Sequence, residues 1–210
     1  MSKPSILLVG AGGHARACVD VIEREGRFVI AGLVGTAAEV GTRIFGYSVI
    51  GSDLDLPALR GKHEYALVSV GQIKTPAPRI RLWDLLTQGG WQLPTIVSPF
   101  ACVSPHGTLG AGTIVMHGAV LNAGAAVGRN CIINTRALVE HDAVIGDHCH
   151  IATAAAINGG VRIGTSSFVG SGTIVREGVT IGDNVVIGMG QRVLADCPTG
   201  MSIPGPKQVA

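Results

Sequence analysis

The chain is poor in the side chains from which ordinary cores and surfaces are built. Aromatic residues make up 4% of its 210 positions, and Asp, Glu, Lys and Arg together reach only 14%. Helical bundles and sandwiches draw more heavily on both groups, so neither class is expected. No charge of one sign dominates. The formal net charge is +2, with no basic stripe, which argues against nucleic acid as a partner. Long apolar runs are missing too, so no membrane span is expected. The apolar stretch from Ile6 to Val9 stops at Gly10, too short for the core of a signal peptide, and a cytoplasmic location is expected. Five cysteines (Cys18, Cys102, Cys131, Cys149 and Cys197) form no CxxC pair, so no metal site is expected and the thiols read as packed and reduced.

What the chain does have is glycine, 31 residues of it, and a repeat. From Val97 to Val193 every sixth residue is Leu, Ile or Val without a break, and the residue two positions earlier is usually small, as at Ala119, Cys131 and Ala143. A period of six fits neither a helix nor a plain alternating strand. It fits short strands joined by tight corners, each turning one aliphatic side chain inward. Gly110, Gly128, Gly146, Gly164 and Gly182 add a second period of 18, so three six-residue sides make one coil of a triangular prism. Gly, Asn and Asp at the corners, as in Gly146-Asp147 and Gly182-Asp183-Asn184, are expected to supply backbone conformations that branched residues resist.

Before the repeat, strand and helix signals alternate. Residues 4–10 read as a buried strand, followed by the loop Gly10-Ala11-Gly12-Gly13-His14-Ala15 and an apolar-periodic helix through Glu23. Further strands are expected near 28–34 and 65–71, a helix over 78–88, and a last strand before the solenoid. Such alternation implies a Rossmann-like parallel sheet. The expected domains are therefore 1–95, α/β, and 96–210, a parallel β-helix. The loop satisfies G-x-G-x-x-A, but the second strand ends in Val34 and Gly35, with no carboxylate until Glu39, so the dinucleotide pattern is incomplete. What survives is a helix N-terminus open to anions, with glycines that admit a close backbone approach.

One concentrated polar cluster interrupts the solenoid: Asn134, Glu140-His141-Asp142 and His148-Cys149-His150. His141 is the candidate general base, because histidine titrates near neutral pH, and Asp142 is placed to orient it. Stacking by 18 puts Gly159 beside His141, where a missing side chain leaves space, and Gly159 or Gly160 is a candidate N–H donor to an oxyanion. His150 lies half a coil beyond His141 and so leaves a different face. The two meet most easily if a neighbouring chain contributes one of them, which predicts a homotrimer. His106, His117 and His148 are expected to be solvated, and Asn134 either hydrogen-bonds in the pocket or fills a corner.

The hexapeptide pattern resembles the left-handed β-helix acyltransferases, and the handedness rests on that resemblance. Together with GAGGHA, the strand end Ser69-Val70-Gly71 and the segment VEHDAVIGDHCHIA, it is similar to the sialic-acid O-acetyltransferase/nucleotide-amino-sugar N-acetyltransferase family over nearly the whole chain. The resemblance implies acetyl-CoA as co-substrate and a nucleotide sugar held by Gly12, Gly13, His14 and Gly71. It implies His141 and Asp142 as catalytic residues, and His150, Ser171, Gly188 and Met189 around the coenzyme, to which the stacking argument adds Gly159 as a contact to the thioester oxygen. Two departures stand out. Many nucleotide-sugar members carry two acidic residues where this chain has Val34 and Gly35, and the tail reads Ile203-Pro204-Gly205-Pro206-Lys207 in place of Gly-x-Pro-Ala-Lys. The expected activity is N-acetylation of a nucleotide-linked amino sugar for bacterial surface glycans, by direct attack on the thioester. The alternatives are O-acetylation of a sialic-acid-like sugar, a non-catalytic solenoid that binds a glycan precursor, and an NAD-dependent oxidoreductase.

Overall fold

The computed structural model describes residues 3–206 of the chain; Lys207, a candidate contact for a coenzyme phosphate, lies outside them. The chain divides into two compact units. One takes the chain through Gly71 together with Ala77–Pro99, and the other takes Gln72–Pro76 together with the chain from Phe100 onward. Among the described residues no helix is long and apolar enough to cross a membrane. No group of three His, Cys, Asp or Glu side chains among them is arranged to hold a metal.

In the first unit the elements are β1 (Ser5–Val9), α1 (Gly13–Glu25), β2 (Val29–Gly35), β3 (Arg43–Ile44), β4 (Tyr47–Ser52), α2 (Leu56–Arg60), β5 (Tyr65–Val68) and α3 (Ala77–Gln88). They form a five-stranded sheet in the order β3-β4-β2-β1-β5, parallel except for the β3–β4 hairpin. Ile6, Leu7, Leu8 and Val9 are fully buried because parallel strands are covered on both faces. Helix α1 turns Ala15, Cys18, Val19 and Ile22 inward at helical spacing and ends on Gly26 in the left-handed conformation, φ 72°. Strands β3 and β4 and helix α2 were not expected from the sequence. The hairpin turns on Phe45-Gly46, both at positive φ, where an Asn-Gly signal is absent. Strand β5 also stops at Val68, short of Gly71. Ser69 Oγ donates to Gly10 O at 2.7 Å, and the buried Arg79 guanidinium donates to the carbonyls of Val68 and Val70, which draws the chain out of the ladder.

The second unit is a left-handed parallel β-helix. Two-residue strands stack at an interval of 18 residues, as in Ile132↔His150↔Phe168↔Val186, on three faces. The inward residues from Val115 to Val193 are all buried, as the six-residue period requires. The corners follow a rule of their own: every sixth residue from Gly112 to Gly190 has positive φ, including Asn130, Asp142, His148 and Asn184. The glycines 18 apart serve a different purpose from the one the sequence suggests. Gly146 does not have positive φ; a Cβ there would lie 2.8 Å from Thr165 N and 2.9 Å from Gly164 C in the next coil. They are glycine so that coils can stack. The neighbouring inward position carries Thr113, Cys131, Cys149 and Ser167, each donating to the carbonyl of the glycine one coil on. Cys18, Cys131, Cys149 and Cys197 are buried, whereas Cys102 is exposed and departs from the expectation of packed thiols. The repeat tightens at its end. Ser202 pairs with Val186, sixteen positions back, so the last coil is two residues short.

Candidate active site

His141 stands at the corner after the strand Leu138–Val139, and Asp142 is the corner residue at φ 59°. Its Nδ1 lies 3.0 Å from Asp142 Oδ2. An ionised carboxylate only accepts, so Nδ1 carries the hydrogen, and in the neutral ring Nε2 keeps its lone pair. The hydrogen bond to Asp142, more than its charge, raises the His141 pKa above the ordinary 6.5. Both side chains are exposed. Glycines in the flanking coils make their room. A Cβ at Gly124 would collide with Asp142 Oδ1, and one at Gly159 would lie 2.6 Å from His141 Nε2 and 2.7 Å from Cε1. Gly159 N–H has no hydrogen-bond partner among the described residues, whereas Gly160 N–H donates to His141 O at 2.9 Å. Gly160 is therefore removed as an oxyanion donor and Gly159 remains.

The polar cluster of the sequence does not stay together. His150 lies in the strand His150–Ile151, on the face of the prism opposite the edge that carries His141. Both of its ring nitrogens are engaged. Nδ1 lies 2.7 Å from Gln72 O and Nε2 lies 3.0 Å from Asn134 Nδ2. Gln72 O can only accept, and Asn134 Oδ1 is held by Thr135 N–H at 2.8 Å, so the amide points its NH2 at Nε2. His150 is thus neutral with its hydrogen on Nδ1, and Phe168 packs edge-on at 5.2 Å. Around it lies a cleft of about 370 Å³, lined by Asn134, His150, Ser171, Gly188 and Met189 with Ile73 and Lys74. Asn134 therefore sits with His150 rather than with His141, and Gly159 sits with His141 rather than in this cleft. Sequence reasoning missed Gln72, Ile73 and Lys74, because nothing in a linker between strand and helix marks it as part of the solenoid. His106 is exposed as expected, but His148 is half-buried against Asn130, at 3.0 Å, and His117 packs against Phe100.

In the α/β unit, a second cleft of about 420 Å³ opens at the carboxyl ends of β1, β2 and β4, where open parallel sheets bind ligands. Gly10, Ala11 and Gly12 form one wall, Val34 to Ala37 and Glu39 another, and Ser52 to Leu54 with Val70, Pro78, Arg81 and Leu82 the rest. Gly12 caps α1 in an extended conformation; no side chain caps the helix and its first turn holds no acidic residue. The positive end of the helix dipole thus faces an anion-sized opening. A Cβ at Gly12 or Gly13 would meet nothing within 4 Å, so the fold itself does not demand glycine there. Gly10 is different: it has φ 123°, and a Cβ would lie 2.5 Å from Val70 Cγ2. Gly71 packs against His14, with 3.4 Å from its Cβ position to the His14 Cβ. Gly13, His14 and Gly71 flank the helix start without lining the cleft.

Comparison with known proteins agrees with both units. Residues 5–77 match the PglD N-terminal domain family. No curated protein gives a significant match. Among solved structures, the chain is similar to perosamine N-acetyltransferase from Caulobacter crescentus, solved as a histidine-to-asparagine variant in complex with CoA and GDP-perosamine. The identity is 33% over 97% of this chain and 95% of that one, with a TM-score of 0.90. It is also similar to the acetyltransferase domain of PglB from Neisseria gonorrhoeae in complex with acetyl coenzyme A, at 30% identity over 97% of each chain and a TM-score of 0.88. WeeI from Acinetobacter baumannii, at 22% identity and a TM-score of 0.84, shares the fold. With a third of its residues identical over nearly its full length, this chain belongs to the hexapeptide-repeat nucleotide-sugar acetyltransferases, and it is an acyltransferase.

Proposed function

We propose that the protein transfers the acetyl group of acetyl-CoA to the amino group of a nucleotide-linked amino sugar. The observation that carries the proposal is His141, with Nδ1 committed to Asp142 and Nε2 facing the space that Gly159 leaves open. The amine nitrogen attacks the thioester carbonyl as His141 Nε2 takes its proton. Asp142 stabilises the imidazolium that results, and the Gly159 N–H receives the oxyanion. Collapse of the tetrahedral intermediate breaks the C–S bond, and the proton on His141 returns to the departing thiolate. No acyl-enzyme is needed. Burial pushes the Cys18 thiol up to about 12, and the hydrogen bond with Cys131, together with burial, raises the Cys149 thiol well above the usual thiol range, so neither is a nucleophile at neutral pH.

The His150 cleft takes acetyl-CoA, and the glycine-loop cleft takes the nucleotide. Because His141 and His150 leave opposite sides of one prism, a complete site requires His141 of one chain and His150 of another, and the assembly is a homotrimer. An acetyl-CoA-dependent enzyme of this kind works in the cytoplasm, where its co-substrate is made. Support comes from the perosamine enzyme, which holds CoA and GDP-perosamine together when a histidine is replaced. The test is thiol release from acetyl-CoA with a panel of nucleotide amino sugars and free nonulosonic acids. Turnover confined to the free hydroxylated sugars would refute N-acetylation and establish the O-acetyl alternative.

A further inference from the structure

Strand β2 ends in Val34 and Gly35, yet its end is not without a carboxylate. Four residues on, Glu39 folds back over the strand end. Its Oε2 accepts from both Thr36 N and Thr36 Oγ1 at 2.8 Å, the two bonds of a capping box. Glycine at residue 35 makes room for that return: a Cβ there would lie 2.8 Å from Glu39 Oε2 and 3.2 Å from Glu39 Cβ. The Glu39 carboxylate thus occupies the space that a side chain at position 35 would fill.

Strand β4, the neighbour of β2, ends in the same device. Ser52 N and Oγ donate to Asp55 Oδ2 at 2.8 and 3.0 Å, and a Cβ at Gly51 would lie 3.0 Å from Asp55 Cβ. The two boxes differ in one respect: Glu39 lines the cleft at the glycine loop and Asp55 does not. The two Thr36 donors hold Glu39 below the usual carboxylate range, so it is ionised. Its other oxygen, Oε1, has no hydrogen-bond partner among the described residues. A fixed, ionised acceptor at the end of the second strand, across the cleft from a helix N-terminus open to an anion, is where a ribose diol is received in open α/β sheets.

We propose, resting on the nucleotide role of this cleft, that Glu39 accepts hydrogen bonds from the ribose hydroxyls of the sugar nucleotide. The enzyme is then selective for ribonucleotide-linked over 2′-deoxyribonucleotide-linked sugars. Glycine at position 35 leaves room for this carboxylate, which reaches the strand end from a position four residues later.

The probes are UDP, GDP and their 2′-deoxy counterparts, titrated calorimetrically against the full chain and against Glu39→Gln and Asp55→Asn. Gln keeps a carbonyl oxygen for the capping box, so the loop stays formed. The native chain is expected to bind at least one ribonucleotide about tenfold more tightly than its deoxy form. In Glu39→Gln that ratio should fall towards one, while Asp55→Asn, which alters a carboxylate that does not itself line the cleft, should preserve it. Equal weakening of ribo and deoxy ligands by Glu39→Gln, or no weakening, would overturn the assignment even though the cleft binds nucleotide. Failure of all four probes to bind the native chain would overturn the nucleotide role itself, and with it this assignment.

Discussion

A single methyl group placed at Gly159 tests the catalytic geometry without removing any catalytic group. In Gly159→Ala the new Cβ would lie 2.6 Å from His141 Nε2 and 2.7 Å from Cε1, where ordinary contacts begin at 3.4 Å. The imidazole is exposed and must withdraw by about 1 Å, and a misplacement of that size at a reacting centre can cost about 10²-fold in rate. The bond to Asp142, at 3.0 Å, lengthens or breaks as the ring turns away. We expect kcat to fall by about 10²-fold, within the 10²–10⁴-fold range of a positioned base. Stability should not fall with it. Gly159 has no positive φ, and Gly→Ala at a compatible backbone position is worth about +0.4 to 1 kcal/mol through the unfolded chain. Thiol-release kinetics and a thermal melt on the same sample separate the two effects, and the Gly159 N–H survives the substitution. A kcat within threefold of the native value, with an unchanged melt, would mean that Nε2 is not where the proton goes.

The remaining predictions concern the two histidines. Because the Asp142 bond raises the His141 pKa, and the base works neutral, kcat/KM should climb with pH through an inflection above 6.5. Asp142→Asn should lower both the inflection and the plateau, which a pH–rate profile of the two proteins checks. The pair contributes stability below the unfolded pKa and loses it as pH rises through the folded one; since both groups are exposed, melts across that window should show little change. Asn134→Ala removes the donor at 3.0 Å from His150 Nε2 and should raise the KM for acetyl-CoA about tenfold while leaving nucleotide binding unchanged, as initial rates and calorimetry would register.

Much of the solenoid was legible because its physics is periodic. Whether a residue turns inward, outward or into a corner follows from its position modulo six, and its face and stacking partner from its position modulo 18, so the contact between Gly159 and His141 could be read without coordinates. The same arithmetic failed where side chains choose partners laterally. Asn134 stands seven residues before His141 in sequence but turns to His150, sixteen residues ahead, because its amide is fixed by Thr135 N–H. Gln72 to Pro76 carry no repeat signal, yet they supply the carbonyl that sets the His150 tautomer. In the α/β unit, long apolar strands were visible and the β3–β4 hairpin was not, since Phe45-Gly46 lacks the usual turn chemistry. The departure at Val34-Gly35 was visible too. Its compensation by Glu39 was not, because a carboxylate that folds back four residues leaves only a Thr-x-x-Glu spacing in the sequence.

The division of His141 and His150 between opposite sides of one prism has a consequence that mixing experiments expose. In the proposed cyclic trimer each site would join His141 of one chain to His150 of the next, and every interface would repeat that heterologous contact. Chains bearing His141→Ala and chains bearing His150→Ala are each expected to be inactive as homotrimers, since every site then lacks one histidine. Any ring that contains both kinds has one junction where an intact His141 meets an intact His150. With equal, random assembly about three rings in four are mixed, and each rescues one of its three sites, so co-expression should restore about a quarter of native activity. Separately purified homotrimers, mixed without exchange of subunits, should restore none. If both histidines served a site within one chain, co-expression would restore nothing, and the prism geometry would not be the reason for assembly.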